Sequence, residues 1–282
     1  MFIRVSLVAL GLSLSVSVGA FADNDSDWRA VDPENIIYIE TESGRAVFEL
    51  NPDFAPNHVK RVKDLIRDKH YDGAPAYRVI DGFVVQFGPG IEGEEGIPTL
   101  KAEFSHSINP EAPFVLAQEP EFFTPQTGFI KGFPVGRDPS RNLEYLVNCR
   151  GTINFSRGGA DDAVAHLAIM TGQAPRHLDN NTSQFGRVLM GMEHLIKFRL
   201  GDEADGGVIE SPEDMDHFKS IRIAADLPEE DQTKLMVMKT DTEAFRKVIE
   251  GQRHRDRDNW FINPTAEVVD VCYTKVPVKL AE

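Results

Sequence analysis

Apolar runs along the chain predict a protein built mainly of β-strands. The runs at 36–39 and 46–50 are rich in β-branched and aromatic residues, and Gly44 lies in the turn between them, which is typical of a β-hairpin. Residues 56–68 instead repeat Val and Leu or Ile at helical spacing, with charged residues on the other faces, and Pro56 opens the stretch. We therefore predict a hairpin followed by one amphipathic helix.

A second hairpin is predicted over residues 76–88. Its turn is Asp81-Gly82, a dipeptide that tolerates positive φ, and β-branched and aromatic residues flank it. Arg78 and Gln86 lie within this apolar stretch, and burial of such groups costs free energy unless they are paired. The residues alone leave two interpretations open. Either the pair has a function, or Arg78 is exposed on an edge strand and Gln86 bonds to backbone.

Short apolar segments continue through the second half of the chain. Strands are predicted at 151–156, 167–170, 185–188, 220–223 and 268–278. Helices are predicted at 192–198, 231–238 and 241–251. Residues 88–136 are rich in Gly, Pro and acidic residues, which indicates loops, and residues 105–149 are expected to be irregular. The phenylalanines Phe114, Phe122, Phe123, Phe129 and Phe133 make residues 105–149 unusually aromatic for a loop. They suit either packing over the core or a recognition surface.

The N-terminus has the pattern of a secretory signal peptide over residues 1–22. Arg4 precedes an apolar run at 5–18, and Ala20-Phe21-Ala22 is a small-x-small cleavage site. An uncleaved anchor is the alternative. Residues 23–34 are acidic and polar, and we predict a flexible leader there. The expected product is an exported protein, periplasmic in a Gram-negative bacterium or otherwise secreted, with no membrane contact after cleavage.

Charge and cysteine content narrow the possible partners. A net charge of −15 argues against nucleic acid or an anionic membrane as a partner. Cys149 and Cys272 are the two cysteines. Export permits a disulfide between them, and two buried thiols are the alternative. The chain contains neither C-x-x-C nor H-E-x-x-H, so we assign no metal and no cofactor.

The spacing of Arg78, Phe83 and Gln86 resembles the central motif of cyclophilin-type peptidyl-prolyl cis-trans isomerases. The resemblance implies that Arg78 is catalytic, that Phe83 lines the pocket for proline and that Gln86 holds the substrate backbone. Strict strand alternation would place Phe83 and Gln86 on opposite faces. The resemblance therefore requires irregular backbone near Gly82.

The order of the predicted elements extends this resemblance over residues 35–225. Leu178-Asp179, Phe185-Gly186-Arg187-Val188 and Gly191-Met192 follow one another as in cyclophilins. The implied fold is mainly β: a closed eight-stranded antiparallel barrel capped by two helices. A long irregular insertion, about residues 89–150, would interrupt it. Residues 226–282 would form a C-terminal α/β extension packed on the barrel.

Several positions of the implied binding groove depart from the family. Ala168 replaces a large aromatic residue that members place under the bound proline, and His177 stands where many have Trp or Phe. The substrate-binding positions implied beside Phe83 and Gln86 are Val84, Ser156, His166, Ala168, His177, Leu178 and Thr182. A wider or differently shaped proline pocket should follow.

The resemblance implies an isomerase that acts on X-Pro bonds in proline-containing segments of exported proteins and so assists their folding. The substituted pocket predicts slow or selective turnover. The alternative is a catalytically weak peptide-binding chaperone or scaffold on a cyclophilin barrel.

Overall fold

The computed structural model describes residues 25–90, 92–173, 176–255 and 260–281. The expected signal peptide at 1–22 lies outside these residues. None of the helices in the described ranges is both long and apolar enough to cross a membrane.

Fifteen strands and three α-helices make up the described fold. The strands are β1 (Trp28–Ala30), β2 (Ile36–Thr41), β3 (Gly44–Leu50), β4 (Ala76–Ile80), β5 (Val84–Phe87), β6 (Val115–Gln118), β7 (Gln126–Ile130), β8 (Phe133–Asp138), β9 (Leu143–Leu146), β10 (Thr152–Phe155), β11 (Leu167–Met170), β12 (Gln184–Met190), β13 (Ser220–Ile223), β14 (Leu235–Met238) and β15 (Val278–Leu280). The helices are α1 (Pro56–Arg67), α2 (Met192–Leu195) and α3 (Glu243–Arg253). Short 3-10 helices connect several of them, including Arg176–Leu178.

The main sheet has eight antiparallel strands in the order β13-β2-β3-β12-β10-β11-β5-β4. Both predicted hairpins are present, as β2–β3 and β4–β5. The predicted strands of the second half are present as β10, β11, β12 and β13, and the predicted helix at 192–198 is shorter, as α2. Alternate side chains such as Val85 and Phe87 point into the core, where the rings of Phe87 and Phe218 stack.

The prediction of a closed barrel is wrong, because the sheet is an open half-barrel with β4 and β13 at its edges. The segment before β13 spans the gap through backbone hydrogen bonds. Val79 N donates to Gly207 O (2.8 Å), and Ile209 N donates to Tyr77 O (2.9 Å). Gly206 and Gly207 have φ values of 65° and 83°, which a regular strand does not accommodate. Because this segment has irregular backbone, it does not form a ninth strand beside β4.

Helix α1 covers one end of the core and forms as predicted. Its buried face comprises His58, Val59, Val62, Leu65 and Ile66. The Glu103 carboxylate accepts hydrogen bonds from the backbone N–H groups of Asn57 and His58, at 3.1 and 3.0 Å. Since these donors have no partner within the helix, a carboxylate at this end satisfies them and complements the helix dipole.

The insertion is not irregular, contrary to the prediction, because β6 to β9 form a four-stranded antiparallel sheet. Lys131 and Gly132 join β7 to β8 with φ values of 49° and 91°, as a tight hairpin requires. Phe129 and Phe133 are buried, which fits the packing interpretation, whereas the Phe122 side chain is 90% exposed. The aromatic residues of the insertion thus divide between core and surface.

Strands β1 and β15, near the two ends of the described residues, join β14 in a third sheet, in the order β1-β14-β15. Residues 28–30 therefore form a strand within the expected flexible leader. The prediction of a helix at 231–238 is wrong, since Leu235–Met238 is strand β14. Of the strand expected at 268–278, only Val278 lies in a strand, as the first residue of β15. Pairing with β1 and β15 on both sides decides the conformation of β14. Helix α3 is present as predicted, and Phe245 on it packs against Phe129 of the insertion.

Cys149 and Cys272 form a disulfide, which resolves the alternatives left by the sequence. The bridge joins the end of the insertion to the C-terminal extension across 123 residues. Because such a link restricts the unfolded chain, we expect the double variant Cys149→Ser, Cys272→Ser to lose about 2–4 kcal/mol of unfolding free energy. Urea unfolding measures this. A reductant should destabilise the wild type and leave the double variant unchanged; equal stability of the two proteins would contradict the prediction.

Candidate active site

Arg78 lies on edge strand β4 and faces Gln86 on the neighbouring strand β5. Its Nη1 donates to Gln86 Oε1 (2.8 Å), and its Nε donates to Gly206 O (2.7 Å). The side chain is half-buried, so its charge is desolvated only in part. Two acceptors on different sides fix the direction of the guanidinium plane.

Gln86 continues a polar chain away from Arg78. Its Nε2 donates to Ser156 Oγ (3.1 Å), and the Tyr77 hydroxyl lies close to the same serine. Strand alternation would turn Tyr77 away from Arg78, but the β4–β5 register shifts between Ala76 and Arg78. This bulge brings Tyr77 into the site, which explains why the sequence pattern missed it.

His166 lies beside Tyr77, with ring centroids 5.1 Å apart in an edge-to-face contact. Its Nε2 is 3.6 Å from Glu94 Oε1, and its Nδ1 is buried without a hydrogen-bond partner. Burial lowers the pKa of His166, although the Glu94 charge opposes this. Burial raises the pKa of Tyr77, although its bond with Ser156 opposes this. Both groups are therefore neutral near pH 7, and Arg78 keeps the positive charge of the site.

An apolar cluster of side chains, here named the recess, lies on the same face of the sheet as Gln86. Val84 pairs with Met170, and Gln86 pairs with Ala168, across the β5–β11 ladder. The side chains that form the recess are Ile80, Phe83, Val84, Ala168, Met170 and Leu178. These apolar side chains lie on the same face as Gln86, the hydrogen-bond partner of Arg78.

Phe83 reaches this recess because it precedes the regular part of β5. It belongs to the turn formed with Gly82, whose φ is 61°, and strand alternation begins at Val84. The irregular backbone that the resemblance required is therefore present. Gly172 approaches this turn so closely that an added Cβ would lie 1.6 Å from Gly82 O. The turn is thus fixed by backbone contact as well as by its own geometry.

Two predicted site residues lie apart from these contacts. His177 is exposed and lines a neighbouring cleft of about 270 Å³, together with Arg141, Tyr145 and Arg176. Thr182 is half-buried, and its hydroxyl accepts a long hydrogen bond from Gln184 Nε2 (3.5 Å). In the described ranges, no group of three His, Cys, Asp or Glu side chains is arranged to hold a metal ion.

The geometry agrees with a comparison of the sequence with known families. The family described as "Cyclophilin type peptidyl-prolyl cis-trans isomerase/CLD" matches residues 36–223, about two thirds of the chain. The chain belongs to this family. It is a peptidyl-prolyl cis-trans isomerase of the cyclophilin type, a family that binds proline-containing peptides.

Individual relatives support the same assignment. A "Probable peptidyl-prolyl cis-trans isomerase" of Brucella suis is 29% identical over 215 residues, covering 75% of this chain and 93% of the relative. The isomerase cyp18 of Streptomyces antibioticus is 40% identical over 75 residues, 26% of this chain and 45% of that protein. The crystal structure of cyclophilin AquaCyp293 from Hirschia baltica has a TM-score of 0.72 and 25% identity, and it covers 91% of this chain and 94% of its own. This structural similarity extends beyond the residues that the family match covers.

Proposed function

We propose that Arg78 is the catalytic residue of this cyclophilin and that the recess beside it binds the prolyl ring. The observation that carries the proposal is the Arg78 guanidinium, held by Gln86 and Gly206 next to the apolar side chains around Phe83. A fixed cation beside an apolar recess is the arrangement that the reaction needs.

The chemistry follows from the electronic structure of the amide. Resonance sets a rotation barrier of about 18–20 kcal/mol, while cis and trans X-Pro differ by only about 0.5–1 kcal/mol. As the bond twists, the prolyl nitrogen regains its lone pair. A hydrogen bond from Arg78 to that nitrogen stabilises the twisted form more than either planar form, which accelerates both directions. Arg suits this role because it stays charged and needs no proton transfer.

The remaining residues anchor the substrate. Phe83, Val84 and Leu178 contact the pyrrolidine ring in this proposal. Gln86 Nε2 carries two hydrogens, so it can donate to a substrate carbonyl as well as to Ser156 Oγ. Ser156, His166, His177 and Thr182 remain proposed contacts for the flanking substrate residues.

Ala168 gives the recess a smaller wall than an aromatic residue would, which favours slow or selective turnover. The same observation supports the second candidate, a peptide-binding chaperone or scaffold with little turnover. An isomerisation assay with Xaa-Pro peptides separates them. A rate above background that depends on Arg78 supports the enzyme, and peptide binding without such a rate supports the scaffold.

We also infer that the clients are exported proteins and that the protein acts in the periplasm or outside the cell. The Cys149–Cys272 bridge supports this, because disulfides persist in oxidising compartments. The signal-peptide pattern at 1–22 supports it as well. Recovery of the chain from the cytosolic fraction alone would contradict the inference.

Replacing Gln86 with leucine should lower kcat/KM by about 10-fold or more, because Arg78 loses a charge-assisted hydrogen bond. Isomerisation kinetics with one Xaa-Pro peptide measure this. Ser156→Ala is the matched control, since it removes the second link of the chain and leaves the Arg78–Gln86 bond in place. We expect the smaller loss in the control; equal losses would show that Gln86 does not act through Arg78.

A further inference from the structure

A nearly buried ion cluster lies where the insertion meets the segment Arg176–Leu178. Arg176 Nε donates to Asp179 Oδ2 (2.6 Å), and Arg176 Nη2 lies 3.3 Å from Glu121 Oε2. The side chains are 7%, 4% and 13% exposed, respectively. Because these three charged side chains are shielded from water, the hydrogen bonds between them are stronger than those of a surface ion pair.

The insertion contacts this cluster at two further points. The Arg176 guanidinium carbon lies 4.8 Å from the centroid of the Phe123 ring. Asn148 N donates to the other oxygen of Asp179, Oδ1, at 2.8 Å. Glu121, Phe123 and Asn148 all belong to the insertion or its end. The insertion therefore holds both ends of the four-residue segment from Arg176 to Asp179.

Leu178 lies between the two held residues. Its side chain is half-buried and packs with Phe83 and Val84 in the recess. Arg176 precedes Leu178 by two residues and Asp179 follows it directly, so the contacts that hold these two residues also restrain the backbone at Leu178. Since Ala168 supplies little of the wall, the position of Leu178 sets much of the width of the recess.

We propose that Arg176, clamped by Glu121 of the insertion, is a positioning residue that fixes Leu178 against the prolyl ring and so sets substrate affinity. This inference rests on the proposed role of the recess. Arg176 makes no hydrogen bond with Arg78 or Gln86, whose other partners are Gly206 and Ser156. The clamp should therefore affect KM and leave kcat nearly unchanged.

The test compares Glu121→Gln and Arg176→Met with wild type in steady-state isomerisation of one Xaa-Pro peptide. We expect KM to rise about 5–10-fold and kcat to stay within about twofold. Arg176→Lys keeps the charge without the bidentate fork and should fall between wild type and Arg176→Met. If Arg176→Met does not fold, Glu121→Gln decides, because it leaves the Arg176–Asp179 bond intact.

The matched control is Arg137→Met, which removes another shielded arginine of the insertion. Arg137 pairs with buried Glu144 (2.6 Å) within the insertion sheet and does not contact the segment at Leu178. We expect a lower melting temperature and an unchanged KM. A KM that rises equally in this control would show that the insertion acts only through overall stability, which overturns the proposal.

Coupling to Leu178 gives a second, independent readout. If the clamp acts through Leu178, Glu121→Gln should have little further effect on KM in a Leu178→Ala background. Additive effects would overturn the inference. Failure of the proposed function is distinguishable, because it would appear as wild-type rates in Arg78→Ala whatever the clamp variants do.

Discussion

Replacing Arg78 with alanine should lower kcat/KM for an Xaa-Pro peptide by about 10²–10³-fold, the usual effect of removing one donor that stabilises a transition state. Arg78 is the cationic donor beside the recess, and Gln86 and Gly206 hold it in place. Because it acts on the twisted amide, the loss should appear mainly in kcat. Isomerisation rates from exchange NMR or a protease-coupled assay measure it.

Two variants control this experiment. Arg78→Lys keeps a positive charge but loses the planar fork, so we expect a partial loss of activity. Arg222→Ala removes a half-exposed arginine of β13 whose guanidinium pairs with Asp72 (2.6 Å), and it should leave the rate unchanged. Wild-type rates in Arg78→Ala would remove the proposed mechanism.

Replacing Glu49 with alanine should lower the free energy of unfolding by about 3–5 kcal/mol, because two largely shielded arginines lose their shared partner. Glu49 on β3 lies 2.6 Å from Arg29 Nη2 and 2.9 Å from Arg187 Nη2. Burial lowers the pKa of Arg187, and the Glu49 charge opposes this shift. Without Glu49, the desolvation of that guanidinium is not compensated. Urea unfolding of wild type and variant measures the difference.

An exposed ion pair provides the matched control for Glu49. Glu42 lies 3.1 Å from Lys219, and its side chain is 81% exposed. We expect Glu42→Ala to change stability by less than about 1 kcal/mol, since water screens this pair. Similar losses in both variants would show that the Glu49 cluster contributes no more than a surface pair.

Much of the site could be predicted from the sequence because its residues lie close together along one hairpin. Arg78, Phe83 and Gln86 occur within nine residues, and the Asp81-Gly82 turn brings their strands together. Tyr77 could not be predicted, because the bulge that turns it toward Ser156 breaks strand alternation. The clamp at Arg176 could not be predicted either, since its partner Glu121 is 55 residues away in sequence.

The sequence of the insertion contains a signal for a hairpin that its overall composition concealed. Lys131-Gly132 stands between apolar runs, which favours a hairpin, yet the surrounding Gly, Pro and Glu residues suggested loops. In strand β14 the local sequence pattern was instead misleading. Its residues carry helical features, and pairing with β1 and β15 overrides them.

The sequence by itself determined the family, the two central hairpins, helices α1 and α3, and the arginine-bearing strand. The hairpins and helices could be predicted because each depends on contacts between residues that are close in sequence. Tertiary structure alone decided the open edge of the half-barrel, the Cys149–Cys272 bridge, the sheet that pairs β14 with β1 and β15, and the clamp behind Leu178. These features join residues that are far apart in sequence. Local propensity and spacing carry no information about which distant segments meet, because that choice depends on the packing of the whole chain.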